Sequence, residues 1–488
     1  MRVLFINPPC FSYLRYGKDL GKLGPTTEPL GLAYLAASVR EWANEEAEVL
    51  DAEALRLSTD DIVRHVVAGK YDLVGVAMLT PLYLHSVKTF EAIKKALPHI
   101  PTVVGGAHAT IMAEETLQAN NTIDYAVVGE GEETIVDLVA VIKGNKKVEE
   151  VPGLVYRNGV EIVRNPDRKV IMDVDSIPWP ARDSLPMEHY RPTVSYYRRL
   201  PSYFVMAARG CPYRCHFCSQ VIGKQTRIHS SERIIAEMEF LYSKYGAKEI
   251  VIEGDTLTYN KRKTMELCEE IIKSKLHKKL AWVASTRVNC VDEELLRVMK
   301  EAGCWQLSFG VESGVQRLVD HINKKISLEQ VERVFKMAHR IGIETRAFFM
   351  LGLPTESYED SLQTIAFAKR LKTYWAQFTV TIPYPGTALF EMAKKSGTLK
   401  SYNWEHYNSW SSWSDEQHEL VHVPEGRTST ELLETQKYAL RSFYLRPKIL
   451  FNRLKELSWE NYSKMFTGLL VLLKSKFKRP AYKHRDFQ

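Results

Sequence analysis

Cys211, Cys215 and Cys218 stand in the stretch RGCPYRCHFCSQ, residues 209–220, at a C-x3-C-x2-C spacing. Three thiolates so close together are suited to holding a metal centre. A shared helix face is a poor explanation for them, because Gly210 and Pro212 bracket Cys211 and favour a loop. A disulfide framework does not suit an odd total of seven cysteines in a chain of 488 residues. Structural zinc takes four ligands, commonly as two closely spaced pairs. The remaining cysteines, Cys10, Cys268, Cys290 and Cys304, are scattered singly, and His216 sits awkwardly between the thiols. A 4Fe–4S cluster is normally held by four thiolates; with three, one iron is left open to a substrate or cofactor. The spacing favours the cluster over zinc.

Such thiols need a frame to position them. Residues 1–140 alternate apolar strand candidates (VLFIN at 3–7, EVLDAE at 48–53, DLVGVAM at 72–78, PTVVGG at 101–106, DYAVVGE at 124–130) with amphipathic helices such as 30–42 and 84–97. Near-continuous hydrophobic strands are buried on both faces, so five such units predict an α/β, doubly wound parallel sheet whose ligand lies beyond the C-terminal strand ends. Gly105, Gly106 and His108 fall at one of those ends. The glycines allow backbone to approach a ligand closely, or serve only as tight turns. Residues 141–200 hold a hairpin turning at Asn158-Gly159, followed by a proline-rich linker. From 201 to 390 the rhythm returns with six strand candidates, predicting a partial (β/α)6 barrel. Barrel chemistry sits at C-terminal strand ends, and Cys211 lies just past the first of them. Residues 391–488 form a further region, rich in Trp, Tyr, Ser and charge and then helical.

Composition bounds the rest. Hydrophobic residues make up 45% of the chain and the net charge is +7, which gives no sign of a nucleic-acid partner. Unpaired cysteines suit a reducing cytoplasm. The N-terminal run MRVLFINPP is too short for a signal peptide, and no apolar stretch reaches the length of a membrane-spanning helix. Near the C-terminus, residues 465–473 are almost wholly apolar and a basic cluster follows. Two readings stay open there: a helix docked on the barrel, or a segment lying in a membrane interface, which would favour a lipid as substrate.

With the cysteine loop go EGDT (253–256), STRVN (285–289), FGVESG (309–314), FFMLGLPTES (348–357) and TIPYPGT (381–387), and upstream NPP, PLGLAYLAA, VGGAHAT and VGEGEET. On these motifs residues 1–390 resemble the cobalamin-binding branch of the radical S-adenosylmethionine superfamily, which contains anaerobic tetrapyrrole cyclases and radical C-methyltransferases. The resemblance implies a 4Fe–4S cluster on Cys211, Cys215 and Cys218, S-adenosylmethionine as cofactor, and a low-potential electron donor such as ferredoxin or flavodoxin. It further implies that Asp255 holds the amino group of S-adenosylmethionine, that Arg287 pairs its carboxylate in a bidentate fork, and that Glu312 accepts hydrogen bonds from the ribose. The alternatives are a helix N-cap for Asp255 and a structural ion pair for Glu312. Cobalamin is implied for the first sheet, with Gly105, Gly106 and His108 in its crevice. The D-x-H-x-x-G histidine of some cobalamin proteins is missing from NPPCFSYLRYG, so the cobalt is expected to lack a histidine below it. Cys10 could approach that lower face but is more simply an inert thiol.

The expected activity is reductive cleavage of S-adenosylmethionine to a 5′-deoxyadenosyl radical, used to methylate an unactivated carbon of a small molecule. Radical oxidation or cyclisation without methyl transfer is the alternative, as on a tetrapyrrole. A non-catalytic iron–sulfur sensor or carrier is a third reading. It leaves Arg287 and Glu312 at neighbouring barrel ends, and the whole first sheet, without a use.

Overall fold

Strand β1 (Arg2–Asn7) reads RVLFIN, and Val3 to Ile6 are all buried, the signature of a strand covered on both faces. The computed structural model describes residues 1–9, 24–409, 420–447 and 449. Parallel to β1 run β2 (Glu46–Asp51), β3 (Leu73–Ala77), β4 (Thr102–Gly105) and β5 (Tyr125–Val127). The order 2-1-3-4-5 reverses between β1 and β3, which is where open α/β sheets bind ligands. The hairpin of β6 (Leu154–Asn158) and β7 (Glu161–Arg164) turns at Asn158-Gly159, with Gly159 at φ +62°. It does not stand apart in a linker. Antiparallel pairing of β6 with β5 adds it to the first sheet and satisfies an edge that would otherwise be open.

The second sheet contains six parallel strands: β8 (Ser202–Arg209), β10 (Glu249–Gly254), β11 (Ala281–Thr286), β12 (Cys304–Glu312), β13 (Glu344–Leu351) and β14 (Trp375–Val380). The two-residue strand β9 (Arg227–Ile228) pairs antiparallel with β8 at the edge. Helices between them end in left-handed glycines, Gly246 and Gly342, as their sequences predict. Partial exposure alternates along the strands. Phe348 and Met350 on β13, Gln377 and Thr379 on β14, and Ser285 on β11 are half-buried, while Ala347, Phe349, Ala376, Phe378 and Ala284 are buried. With period 2, one face packs on helices and the other lines the lumen of the partial barrel.

Residues 165–201 pass between the sheets and are pinned to both. Arg182 is fully buried and donates to Glu237 at 2.6 Å, to Glu28 at 3.3 Å and to the Phe204 carbonyl at 2.5 Å. The Tyr190 hydroxyl donates to Asp51 at 2.8 Å. After β14, helices Ala388–Lys395 and Ser429–Tyr444 follow, the second packing Phe443 against Phe378. Cys10 and the apolar segment 465–473 lie outside the described residues. Among those described, no helix is long and apolar enough to cross a membrane.

Candidate active site

The C-terminal strand ends of the two sheets face each other and touch. Arg209, the last residue of β8, donates to Glu130 at 3.1 Å and to Glu132 at 2.7 Å, both just past β5. Glu130 also accepts from Arg227 at 2.6 Å and from the Ile171 N–H at 2.9 Å. All four charged side chains are less than a tenth exposed, and they offset one another's charge. On the opposite side, Gly386, beyond β14, lies so close to Ile111, beyond β4, that a Cβ there would sit 2.7 Å from the isoleucine. Trp404 closes the same flank, its ring edge-on to His108 at 5.2 Å.

The cysteine loop begins at Gly210, whose φ of +81° and closeness to the Gln225 carbonyl, 2.3 Å from any Cβ, exclude a side chain. Distant backbone then holds the loop. The His216 N–H donates to the Ile322 carbonyl at 3.0 Å, the His216 carbonyl accepts from Leu389 at 2.7 Å, and Asn323 donates to the Arg214 carbonyl at 2.7 Å. Cys211 Sγ lies 3.6 Å from Thr256 Oγ1, and Cys215 Sγ receives Arg287 Nη1 at 3.4 Å. Cys218 is accessible at the loop's edge, yet the protein around it, then charge on Cys215, Asp255 and Cys211, pushes its thiol up to about 11, with Lys324 opposing. Three thiolates so coupled call for a cationic centre. No three histidine, cysteine or carboxylate side chains among the described residues are gathered for a single ion. A cubane cluster does not require that, because each thiolate takes a different iron. The donor set therefore fits a cluster and not a tetrahedral zinc.

Asp255 stands exposed in the cleft beyond β10, where surrounding protein raises its pKa and the Gly210 N–H opposes the rise. It is not the helix cap: Asn260 caps the helix Lys261–Lys273. Arg287 is buried with its fork engaged. Besides Cys215 it donates to the Asn289 side chain at 3.1 Å and to the Lys324 carbonyl, and it stacks 3.7 Å from the Tyr213 ring centre. Glu312 takes a left-handed φ of +68° where the β12–β13 register slips between Gly310 and Glu312. The bulge re-aims its carboxylate onto Lys324 Nζ at 2.6 Å, both buried. The ion pair foreseen as the alternative for Glu312 is thus formed.

In the first sheet, Gly106 takes φ +112° and presses on the Met78 backbone, 2.8 Å from any Cβ, as a tight strand-to-helix turn. Gly105 and Gly129 would meet nothing within 4 Å of a Cβ, so bare backbone faces open space there, which suits a large flat ligand such as cobalamin. His108 is buried under Tyr83 and Trp404, with Nδ1 3.2 Å from Thr80 Oγ1, and burial lowers its pKa to about 4.

Sequence reasoning missed Thr256, Tyr213, Asn289, Cys290 and Lys324. Tyr213 lies between Cys211 and Cys215, and its hydroxyl is 3.2 Å from Cys290 Sγ. Thr256 adjoins Asp255 within EGDT, and Asn289 and Cys290 follow Arg287 in STRVNC, so their position past strand ends was a usable signal. Lys324 carried none, since it follows a helix and not a strand.

Comparison with known proteins agrees with this architecture. The family model for B12 binding domains matches residues 18–139, and that for the radical SAM superfamily matches residues 205–368. An uncharacterized methyltransferase of Pyrococcus horikoshii is 35% identical, over 93% of this chain and 95% of its own. The anaerobic magnesium-protoporphyrin IX monomethyl ester cyclase of Rubrivivax gelatinosus is 29% identical over 99% of this chain and 84% of its own. The radical S-adenosylmethionine methyltransferase TsrM of Kitasatospora setae, solved with cobalamin and a [4Fe-4S] cluster, shares the fold at a TM-score of 0.67 and 20% identity, over 82% of this chain and 76% of that one. With two facing sheets, a three-thiol loop at their junction and these relatives, the chain belongs to the cobalamin-binding branch of the radical S-adenosylmethionine enzymes.

Proposed function

We propose that this enzyme methylates an unactivated carbon of a small molecule, with Cys211, Cys215 and Cys218 as the cluster's protein ligands and with Asp255, Arg287 and Glu312 around S-adenosylmethionine. The observation that carries the reading is the meeting of the two sets of strand ends: the loop with the thiols and the bare backbone at Gly105 and Gly129 open toward one junction. When bound, the cluster delivers an electron to S-adenosylmethionine and cobalamin delivers a methyl group. The chain's own residues supply position and electrostatics. Arg287 donates an N–H to the Cys215 sulfur and stabilises negative charge there. The Lys324 ammonium beside Glu312 offsets charge near Cys218. Asp255, exposed in the cleft, is free to accept from a substituent ammonium. Trp404 and the Arg209 pairs close two flanks of the junction against water. A low-potential ferredoxin or flavodoxin would feed the electron, and lipids and tetrapyrroles are the substrate classes to test first.

The 29% likeness to a cyclase along nearly the whole chain supports a second reading, radical oxidation or cyclisation without methyl transfer. Anaerobic reconstitution with iron, sulfide and cobalamin, followed by product analysis, separates the two. Methylation yields S-adenosylhomocysteine and 5′-deoxyadenosine together with one methylated product. Formation of 5′-deoxyadenosine alone, with substrate consumed, would replace methylation by the second reading.

A further inference from the structure

The lumen face of β13 carries Arg346, Phe348 and Met350 in succession. Met350 and Phe217 of the cysteine loop pack against the same cluster of Leu318, Ile322 and Leu353, so this face begins near the loop. Arg346 lies four residues deeper, about 13 Å at the rise of a strand. The residue is 7% exposed, and its guanidinium is stacked 4.2 Å from the Tyr196 ring centre and 4.9 Å from that of Phe348. Nη2 donates to Gln377 Oε1 at 2.6 Å, whereas Nη1 is buried with no hydrogen-bond partner. Among the described residues no carboxylate forms an ion pair with it; Glu344, two residues earlier on the same face, is paired with Arg198. Ser308 stands opposite Arg346 in the β12–β13 ladder, and Gln306 precedes it by two on the same face. Gln306 is fully buried, and neither its amide nitrogen nor its amide oxygen has a partner.

A buried guanidinium with no counter-charge and a free N–H is costly unless an anion answers it. Three other buried arginines, Arg182, Arg209 and Arg227, are paired with glutamates, and a fourth, Arg287, spends its N–H groups on Asn289, Cys215 and the Lys324 carbonyl. Aromatic rings on Arg346 exclude water from its faces and leave its edge to be met by an oxyanion.

We propose that Arg346, with Gln306 beside it, binds the carboxylate or phosphate end of the substrate in the barrel lumen, with the apolar body of that substrate running along Phe348 toward the cysteine loop. The inference rests on the function proposed above, because it names the far end of the molecule on which that chemistry acts. It makes the substrate an elongated anion whose reacting carbon lies about 10–13 Å from its charged end, the reach of three to four strand residues.

The test is calorimetric titration of anaerobically reconstituted full-length enzyme with octanoate, octyl phosphate and octanol. At least one of the two anions saturates at one per chain, at least about tenfold tighter than octanol, and whichever binds tighter identifies the end group. Arg346→Met weakens that anion at least about tenfold. Gln377→Glu does the same while supplying the guanidinium with a partner at an existing contact, so a fall in its affinity is not a loss of fold. Octanol binding as tightly as the anions, no binding by either anion, or unchanged affinity in both variants would overturn the proposal and leave ordered water as the occupant. Cluster absorption and S-adenosylmethionine cleavage, read on the same wild-type preparation, report on the proposed function separately: their absence with anion binding retained overturns that reading and not this one.

Discussion

Arg209 and Glu130 meet at 3.1 Å across the junction of the two sheets, 79 residues apart in sequence and both nearly inaccessible to solvent. Arg209 is two residues ahead of the first cluster-loop cysteine, and Glu130 lies in VGEGEET, a motif that faces the first sheet's crevice. The pair therefore indexes the thiol loop to the other cofactor's domain. Removing one partner of a buried pair strands a charge, at a cost of about 3–5 kcal/mol. Arg209→Met is expected to lose that much in denaturant unfolding. Glu130→Gln also leaves Arg227 short of a counter-charge and should lose a similar amount. A loss under about 1 kcal/mol in both would show that the junction is held by other contacts.

Changing Cys211, Cys215 or Cys218 to Ala is expected to abolish the 4Fe–4S absorption and all S-adenosylmethionine cleavage. Cys268 and Cys304 are buried in packed elements away from the loop, and their Ala variants should keep both. Cys290 is a more demanding control, because its sulfur touches Tyr213 inside the site. The Cys290→Ala variant should retain the cluster spectrum. Iron content and visible spectra of the variants decide the matter, and retained cleavage in Cys215→Ala would refute the ligand assignment.

Glu253, at the end of β10, has a pKa raised from 4.5 to about 7 by burial first, and then by Asp255 and Glu28. Between those two values the folded chain holds a proton that the unfolded chain has released. Stability from this group is therefore full below about pH 4.5 and falls as pH rises toward 7, by at most about 1.4 kcal/mol per unit. Glu253→Gln should gain stability over the wild type at pH 8 and little at pH 4.5. Unfolding curves at the two pH values check this; an equal effect at both would remove burial of the carboxylate as the cause.

His108 is expected to leave cobalt coordination untouched. Electron paramagnetic resonance of the Co(II) form should show no nitrogen splitting from a protein histidine, with identical spectra for wild type and His108→Ala. Weaker cobalamin binding is expected in the variant, since the Tyr83–His108–Trp404 stack closes that flank. A protein nitrogen signal lost on substitution would reverse this.

The parts legible in the sequence were those with local chemistry. Cysteine spacing, apolar runs and the turn at Asn158-Gly159 each act over a few residues, so the two sheets and the thiol loop could be read directly. The use of Glu130 could not, because its partners Arg209 and Arg227 come from another sheet and leave no periodic trace. The fork of Arg287 was expected to pair a cofactor carboxylate, whereas Asn289, Cys215 and the Lys324 carbonyl take its N–H groups from loops whose approach depends on barrel closure. Within the strand candidate ETRAFFMLG (344–352) nothing local marks Arg346 for a role. Its meaning appears only once the register with β12 and β14 shows which face is the lumen.

The hydrogen bond from Leu389 to the His216 carbonyl has a consequence for the order of assembly. The thiol loop is shaped in part by backbone that the ribosome delivers some 170 residues later. A nascent chain shorter than about 390 residues, plus the stretch hidden in the exit tunnel, has all three cysteines but lacks the brace that orients them. A seat of native shape for a metal centre is therefore complete only after the barrel has been translated, and chains released early would present loose thiols to oxygen.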